Sequence, residues 1–254
     1  MAGRSEREET AAIDRLFADL MAAGEQLPRL REVLVRHDPE EQVVLGVLRR
    51  AVPLKLLEHL GTAPPWSDRP RVLARIVLNP RVPRALALRL VPGLYWRDLA
   101  EVAVAPYVAA GVRVRAEASL KEQLGDLRLG DRVSLAKIAT PAVMAGLLAD
   151  AEPRVTEAAL INRRLREEDL LVALRQADLR PALIQAVVAS PRWSQSYAVK
   201  LALVLQSRTP LPVALAQISS LVKRDLVRVV ETPGLRPLVQ AAAAAVLERL
   251  AEGS

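Results

Sequence analysis

Apolar residues recur three and four positions apart along most of this chain, in short runs separated by polar or proline-bearing breaks. Ile13, Leu16, Phe17 and Leu20 form one such face. They predict a helix over Ser5–Ala23, with Ser5 as its N-cap, Glu8 completing a capping box and Gly24 as its stop. No segment alternates apolar and polar residues with the period of two that a half-buried strand requires. Further helix starts are expected at Pro28, Pro39, Pro53, Pro70 and Pro83, because proline at the first helical position gives up only an N–H that has no helical partner anyway. Asp38 is the expected N-cap before Pro39, and Ser67 or Asp68 the expected cap before Pro70. Gly61–Asp68 reads as a Pro-rich loop, and Ala103–Thr140 as the least regular stretch, broken by Pro106, Gly111, Gly125 and Gly130. The expected fold class is all-α.

The pattern also repeats. Val72–Val102, VLARIVLNPRVPRALALRLVPGLYWRDLAEV, recurs without a gap at Val199–Val229, an offset of 127 residues. Identical positions include Val77/Val204, Arg81/Arg208, Pro83/Pro210, Asp98/Asp225 and Val102/Val229. A partial third copy begins at Val155. Each copy runs from a valine through six residues to an amide: Asn79, Asn162 and Gln206. The three starts suggest a frame of roughly 42 residues, which also fits degenerate copies near Leu30, position 114 and Val239. Asn79 is expected to close its helix in the left-handed conformation, and Asp98 and Asp225 to cap the helices that follow. Arg81, Arg164 and Arg208 each lie two residues beyond an amide, so they are expected to share one edge. Two explanations remain open for them. They bind helix C-terminal carbonyls or nearby carboxylates, or they form an anion-binding strip for a partner.

A frame of about 40–47 residues built from two or three helices, with Asn-Pro-Arg-Val-Pro turns as at Asn79–Pro83, resembles the HEAT/armadillo-like α-solenoids. It is also similar to the leucine-rich-repeat-variant proteins of bacteria. The resemblance runs over roughly Leu30–Leu250. It implies a right-handed α-solenoid of short helices, in about six degenerate HEAT-like units of roughly 42 residues. Residues 1–24 would then be an N-terminal capping helix and residues 25–254 the HEAT-like helical repeat domain. The resemblance implies a surface for partners and supplies no catalytic residues.

Composition narrows the chemistry. Apolar residues make up 51% and aromatic residues only 3%, so the core is expected to be aliphatic. There is no cysteine, hence neither disulfide nor thiolate chemistry, which is compatible with a reducing cytoplasm. No secretory signal and no membrane span are expected, and the expected location is cytoplasmic. The net charge of +7 attracts polyanions at long range, or reflects only an arginine-rich composition with acids interleaved. His37 and His59 are too few for a zinc site and read as surface or capping residues. The acidic groups Glu6/Glu8/Glu9, Glu40/Glu41 and Glu167/Glu168/Asp169 are expected in first helical turns, where the helix dipole favours them. No phosphate loop or dinucleotide fingerprint is present, so no cofactor, small-molecule substrate or enzymatic activity is expected. Tyr95, Trp96, Trp193 and Tyr197 pack between repeats, or offer a stacking surface for bases or a peptide. The expected function is a non-enzymatic scaffold or adaptor that binds another protein along one face. The alternative is a nucleic-acid-binding solenoid of DNA-glycosylase type.

Overall fold

Helix is the only regular structure among the described residues of the computed structural model, which describes residues 2–252 and the side chains of residues 6–252. The chain divides into two compact units, Met1–Gln123 and Leu124–Ser254. The division falls within the stretch whose repeat pattern is faintest. No described helix is long and apolar enough to cross a membrane.

The first unit holds α1 (Ala2–Ala23), α2 (Leu27–His37), α3 (Glu41–Leu48), α4 (Leu54–Leu60), α5 (Pro70–Val77), α6 (Arg84–Leu90), α7 (Trp96–Val104) and α8 (Ala110–Gln123). The second holds α9 (Leu129–Ile138), α10 (Pro141–Leu148), α11 (Pro153–Leu160), α12 (Glu167–Leu174), α13 (Pro181–Ala189), α14 (Tyr197–Leu205), α15 (Leu211–Ile218), α16 (Lys223–Glu231) and α17 (Pro237–Glu252). Most of these helices have seven to nine residues, too short to persist alone in water, so tertiary burial must hold them. Within each unit, helices pack on neighbours two places along the chain. In the first unit α1, α3, α5 and α7 form one such file. In the second, α9, α11 and α13 form one file and α10, α12, α14 and α16 another. Leucine and valine fill the interior, with Leu16, Leu30, Leu48, Val72 and Ile76 buried in the first unit, and Leu135, Val155, Leu170, Val199 and Leu226 in the second. Each fully buried aliphatic side chain contributes about 1.5–3 kcal/mol.

α1 carries the expected apolar face. Leu16 and Leu20 are buried against α2 and α3, and Phe17 lies under the Arg50 guanidinium at 5.0 Å. Gly24 takes the left-handed turn that ends it, at φ 61°. The helix begins at Ala2, however, so Ser5 lies inside it, and the Ser5 side chain lies outside the described residues. Glu6, Glu8 and Glu9 accordingly fall beyond the first turn, whereas Glu41 and Glu167–Asp169 lie in first turns as expected.

Several expected caps move. Pro70 opens α5, while Pro53 and Pro83 sit just before α4 and α6. Pro39 opens nothing. Asp38 ends α2 in the left-handed region, at φ 39°, and donates its N–H to the Leu34 carbonyl. Ser67 and Asp68 form a 3-10 turn with Trp66, and Arg69 precedes α5. Asp98 and Asp225 are the third residues of α7 and α16, not their caps.

The expected repeat starts fall in α2, α5, α8, α11, α14 and α17, which is every third helix. Packing follows a shorter step, because the files join helices two apart. A sequence frame of three helices is therefore laid over a packing step of two. The duplication is also longer than the sequence comparison showed. α3 and α12 correspond at an offset of 126, through Glu41/Glu167, Leu45/Leu171, Leu48/Leu174 and Arg49/Arg175.

Candidate partner-binding cleft

The three amides of the repeat frame hold neighbouring helices together. Asn79 does not adopt the left-handed conformation. Its buried Nδ2 donates to the carbonyls of Leu48 and Arg50 at the end of α3, at 2.8 and 2.7 Å, and its Oδ1 accepts the Arg81 N–H. Asn162 repeats this arrangement, bonding to Ala136 and Ala139 at the end of α9 and accepting the Arg164 N–H. Gln206 does so at Leu174 and Gln176 after α12, and accepts the Arg208 N–H. Carbonyls in the last turn of a helix lack intrahelical donors, so an amide from the helix two places on satisfies them. Trp193 plays the same part at the end of α11, where its Nε1 donates to the Leu160 carbonyl at 2.9 Å. Gln240 does so at the end of α16, on Val230 and Thr232. Neither Trp193 nor Gln240 follows the valine-to-amide spacing, so the sequence offered no signal for either.

These bonds explain the residue two places after each amide only as a backbone donor. The guanidiniums differ. Arg81 pairs with Glu25 at 3.3 Å, Arg164 donates to the Ile138 carbonyl at 3.1 Å, and the exposed Arg208 side chain has no partner among the described residues. Arg164 follows α11 and Arg208 follows α14, helices of different files, so the expected shared edge is not formed within this unit.

Glu25, between α1 and α2, also accepts the N–H groups of Leu54 and Lys55 and so caps α4. Burial alone would raise its carboxyl, but those two N–H groups and Arg81 hold it below the ordinary glutamate range.

In each unit the aromatic candidates are a buried tryptophan and a partly exposed tyrosine. Trp193 is buried, with Arg192 stacked 4.1 Å over its ring. Trp96 is buried and its indole N–H has no partner among the described residues. Tyr95 lies beside it at 5.9 Å and is half exposed. Tyr197 works at a helix end. Its hydroxyl accepts the Val222 N–H and donates to the buried Asp225 carboxylate at 2.5 Å, fixing the start of α16. Burial and the bond to Asp225 push the phenol above its ordinary range.

A cleft of about 460 Å³ in the second unit lies along α12, α14 and the loop after α16. Leu171, Leu174, Leu201, Ala202, Leu205 and Leu235 make its apolar floor. Arg175 and Arg228 stand in its walls, both exposed and neither paired with a carboxylate among the described residues. A second cleft of about 330 Å³ lies across α12, lined by Leu148, Val172, Ala173 and Leu183 and edged by Asp169, Asp178 and Arg180, whose Nε donates to the Ala149 carbonyl. Val172, in its wall, is 55% exposed. Leu171, Leu174 and Arg175 thus face one cleft, and Val172, Ala173 and Gln176 the other.

The first unit keeps Arg49 in the place of Arg175 and differs in most of the rest. Counterparts of the larger cleft's residues line two separate hollows, of about 130 and 380 Å³, that share Arg49 and Arg75. Arg71 and Arg75 occupy the places of Ala198 and Ala202, and Glu101 the place of Arg228. Arg75 and Glu101 pair at 3.2 Å. The smaller hollow also holds Glu9, Gln42 and Asp98. Partial burial, and then Glu101, push the Asp98 carboxyl up, against the pull of Arg75 and Arg71. Gly46 leaves room for Ile13 of α1, since a Cβ there would lie 2.4 Å from the Ile13 Cδ1. The corresponding residue in α12 is the open Val172.

Among the described residues no three His, Cys, Asp or Glu side chains converge as a metal site. His37 ends α2 with its Nε2 2.7 Å from Asp19 of α1, and His59 is partly buried, its pKa lowered by that burial and by Arg31. Comparison with family models, with curated proteins and with solved structures gives no match to this chain.

Proposed function

We propose that this chain is a non-enzymatic scaffold that binds another protein through the apolar cleft of its second unit. In this reading the helices are a HEAT-like α-solenoid, with three amides linking α5, α11 and α14 to the helix two places back. The observation that carries the reading is the undivided cleft over α12 and α14. It has an aliphatic floor in which Leu171, Leu201 and Leu205 are partly exposed over the buried Leu174, Ala202 and Leu235, beside two guanidiniums with no carboxylate partner among the described residues, where the duplicate holds arginines and an ion pair. An aliphatic surface left open to water is favourably covered, at about 25 cal/mol per Å² of apolar area, and such concave apolar sites are where proteins bind ligands.

The alternative is nucleic-acid binding, favoured by one observation. Between Leu170 and Gln240 there are nine Arg and Lys against three Asp and Glu. The two readings separate on salt and on a single substitution. Proteins captured from a lysate of the source organism should be identified, purified and tested for direct binding to wild type and to Ala202→Arg. A direct partner lost in Ala202→Arg and retained at high salt supports the scaffold. Binding of nucleic acid that falls steeply with salt, and is indifferent to Ala202→Arg, overturns it.

A further inference from the structure

We infer that the occupant of this cleft is an acidic amphipathic segment of a partner protein. Such a segment has two aliphatic anchors about one helix diameter apart, roughly 10 Å, with carboxylates clustered at one end. This rests on the protein-binding reading above and names the partner's chemistry.

Three features of the second unit carry it. Both clefts lie against α12, one on each side, so a segment crossing α12 meets two apolar hollows in succession. Stacked helices are about 8–10 Å apart, which in an extended chain is the span from one residue to the third after it, at about 3.3 Å per residue. The rims differ in sign. Arg175 and Arg228 bound the larger cleft, whereas Asp169 and Asp178 outnumber Arg180 around the smaller. Carboxylates on the segment are therefore attracted at the end over the larger cleft and repelled at the other, which fixes its direction. Finally, neither arginine has a carboxylate partner among the described residues. In the first unit Arg69 and Arg71 are matched from within by Glu41, and Arg75 by Glu101, while Arg49, the counterpart of Arg175, has no carboxylate partner among the described residues either. In the second unit the counterpart of Arg69 is Ser196, which bonds Glu167, and the counterpart of Glu101 is Arg228 itself. The carboxylate that answers Arg75 in one copy is replaced by a cation in the other, so the second cleft is left the more positive.

The test uses the full chain and a fluorescein-labelled synthetic peptide with two leucines three residues apart and three glutamates beyond the second. Anisotropy should show saturable binding at moderate salt. The same peptide with glutamine for glutamate should bind about tenfold more weakly, the combined worth of two half-exposed ion pairs. The doubly substituted Arg175→Gln, Arg228→Gln chain should bind both peptides alike. Ala202→Arg, and independently Ala198→Arg, should abolish binding of either, with an unchanged helical spectrum as the folding control. Each places an arginine where the duplicate already carries one.

If the glutamine peptide binds as well as the glutamate peptide and Ala202→Arg still removes both, the acidic chemistry is wrong while the protein-binding reading stands. If no peptide binds, the inference fails. If a short single-stranded oligonucleotide binds instead, regardless of Ala202→Arg, the inference and the protein-binding reading fail together.

Discussion

Arg75 in the first unit and Ala202 in the second occupy one place in a duplicated cleft, and their surroundings have diverged with them. Arg75 reaches Glu101 and divides its cleft into two hollows. Ala202 reaches nothing, and its cleft runs open over leucines to Arg175 and Arg228. The framework beneath is the same in both copies. Asn79 and Gln206 bond the same two carbonyl positions of the helix two places back. Duplication has therefore kept the bonds that stack helices and varied the side chains between them. Groups held identically in both copies belong to the fold, and those that differ are where a binding site is to be sought.

The shared framework should yield the largest effects. Asn162→Leu removes a buried amide that satisfies two carbonyls and one N–H, all buried or partly so. Each orphaned group costs about 1–3 kcal/mol, so urea denaturation should show a loss of about 3 kcal/mol or more. Gln206→Leu, at a more solvent-exposed site, should lose less. Equal losses at the two sites would contradict the idea that burial sets the strength of these links.

Tyr197→Phe comes next. Its hydroxyl holds Asp225 and the Val222 N–H, and Asp98, the counterpart of Asp225, has no such partner, because Pro70 stands where Tyr197 would be. The loss should be about 1–2 kcal/mol, as for a hydrogen bond to a charged group. Arg75→Ala should cost less, about 0.2–1 kcal/mol, because its ion pair is partly exposed. A cost above that of Tyr197→Phe would mean that the charges of the first unit's cleft do more for the fold than their exposure implies.

The smallest effect is pH-dependent. The Glu25 carboxyl is held below its ordinary range, so it contributes stability that is complete above the unfolded-state value. That contribution is lost as pH falls through the lowered one. Wild type should exceed Glu25→Gln by about 0.5 kcal/mol or less at neutral pH, and the difference should vanish on acidification. A difference that grows on acidification has the wrong sign for this contact.

Much of the framework was legible in the sequence. The three-to-four spacing specified helices, Gly24 a helix end, and the valine-to-amide interval three equivalent amides. What those amides do was not legible, since their acceptors lie 23 to 32 residues back, across a packing step of two helices that the three-helix frame conceals. The same concealment placed Arg164 and Arg208 on one edge, although they follow helices of different files. Trp193 left a stacking surface open as an alternative to packing, because periodicity does not say where an indole N–H finds its acceptor. The cleft left no signature at all. It arises from Ala198 and Ala202, two small residues in an alanine-rich chain, and they become informative only beside Arg71 and Arg75.

The comparison between the copies is tested most directly by methyl NMR of the full chain, with leucine methyls labelled and the leucine–glutamate peptide titrated in. Shifts concentrated at Leu171, Leu201 and Leu205, with the first unit's Leu45, Leu48 and Leu78 unmoved, are the expected result. Equal shifts in both sets, or shifts confined to the first unit, would contradict the assignment of binding to the open copy.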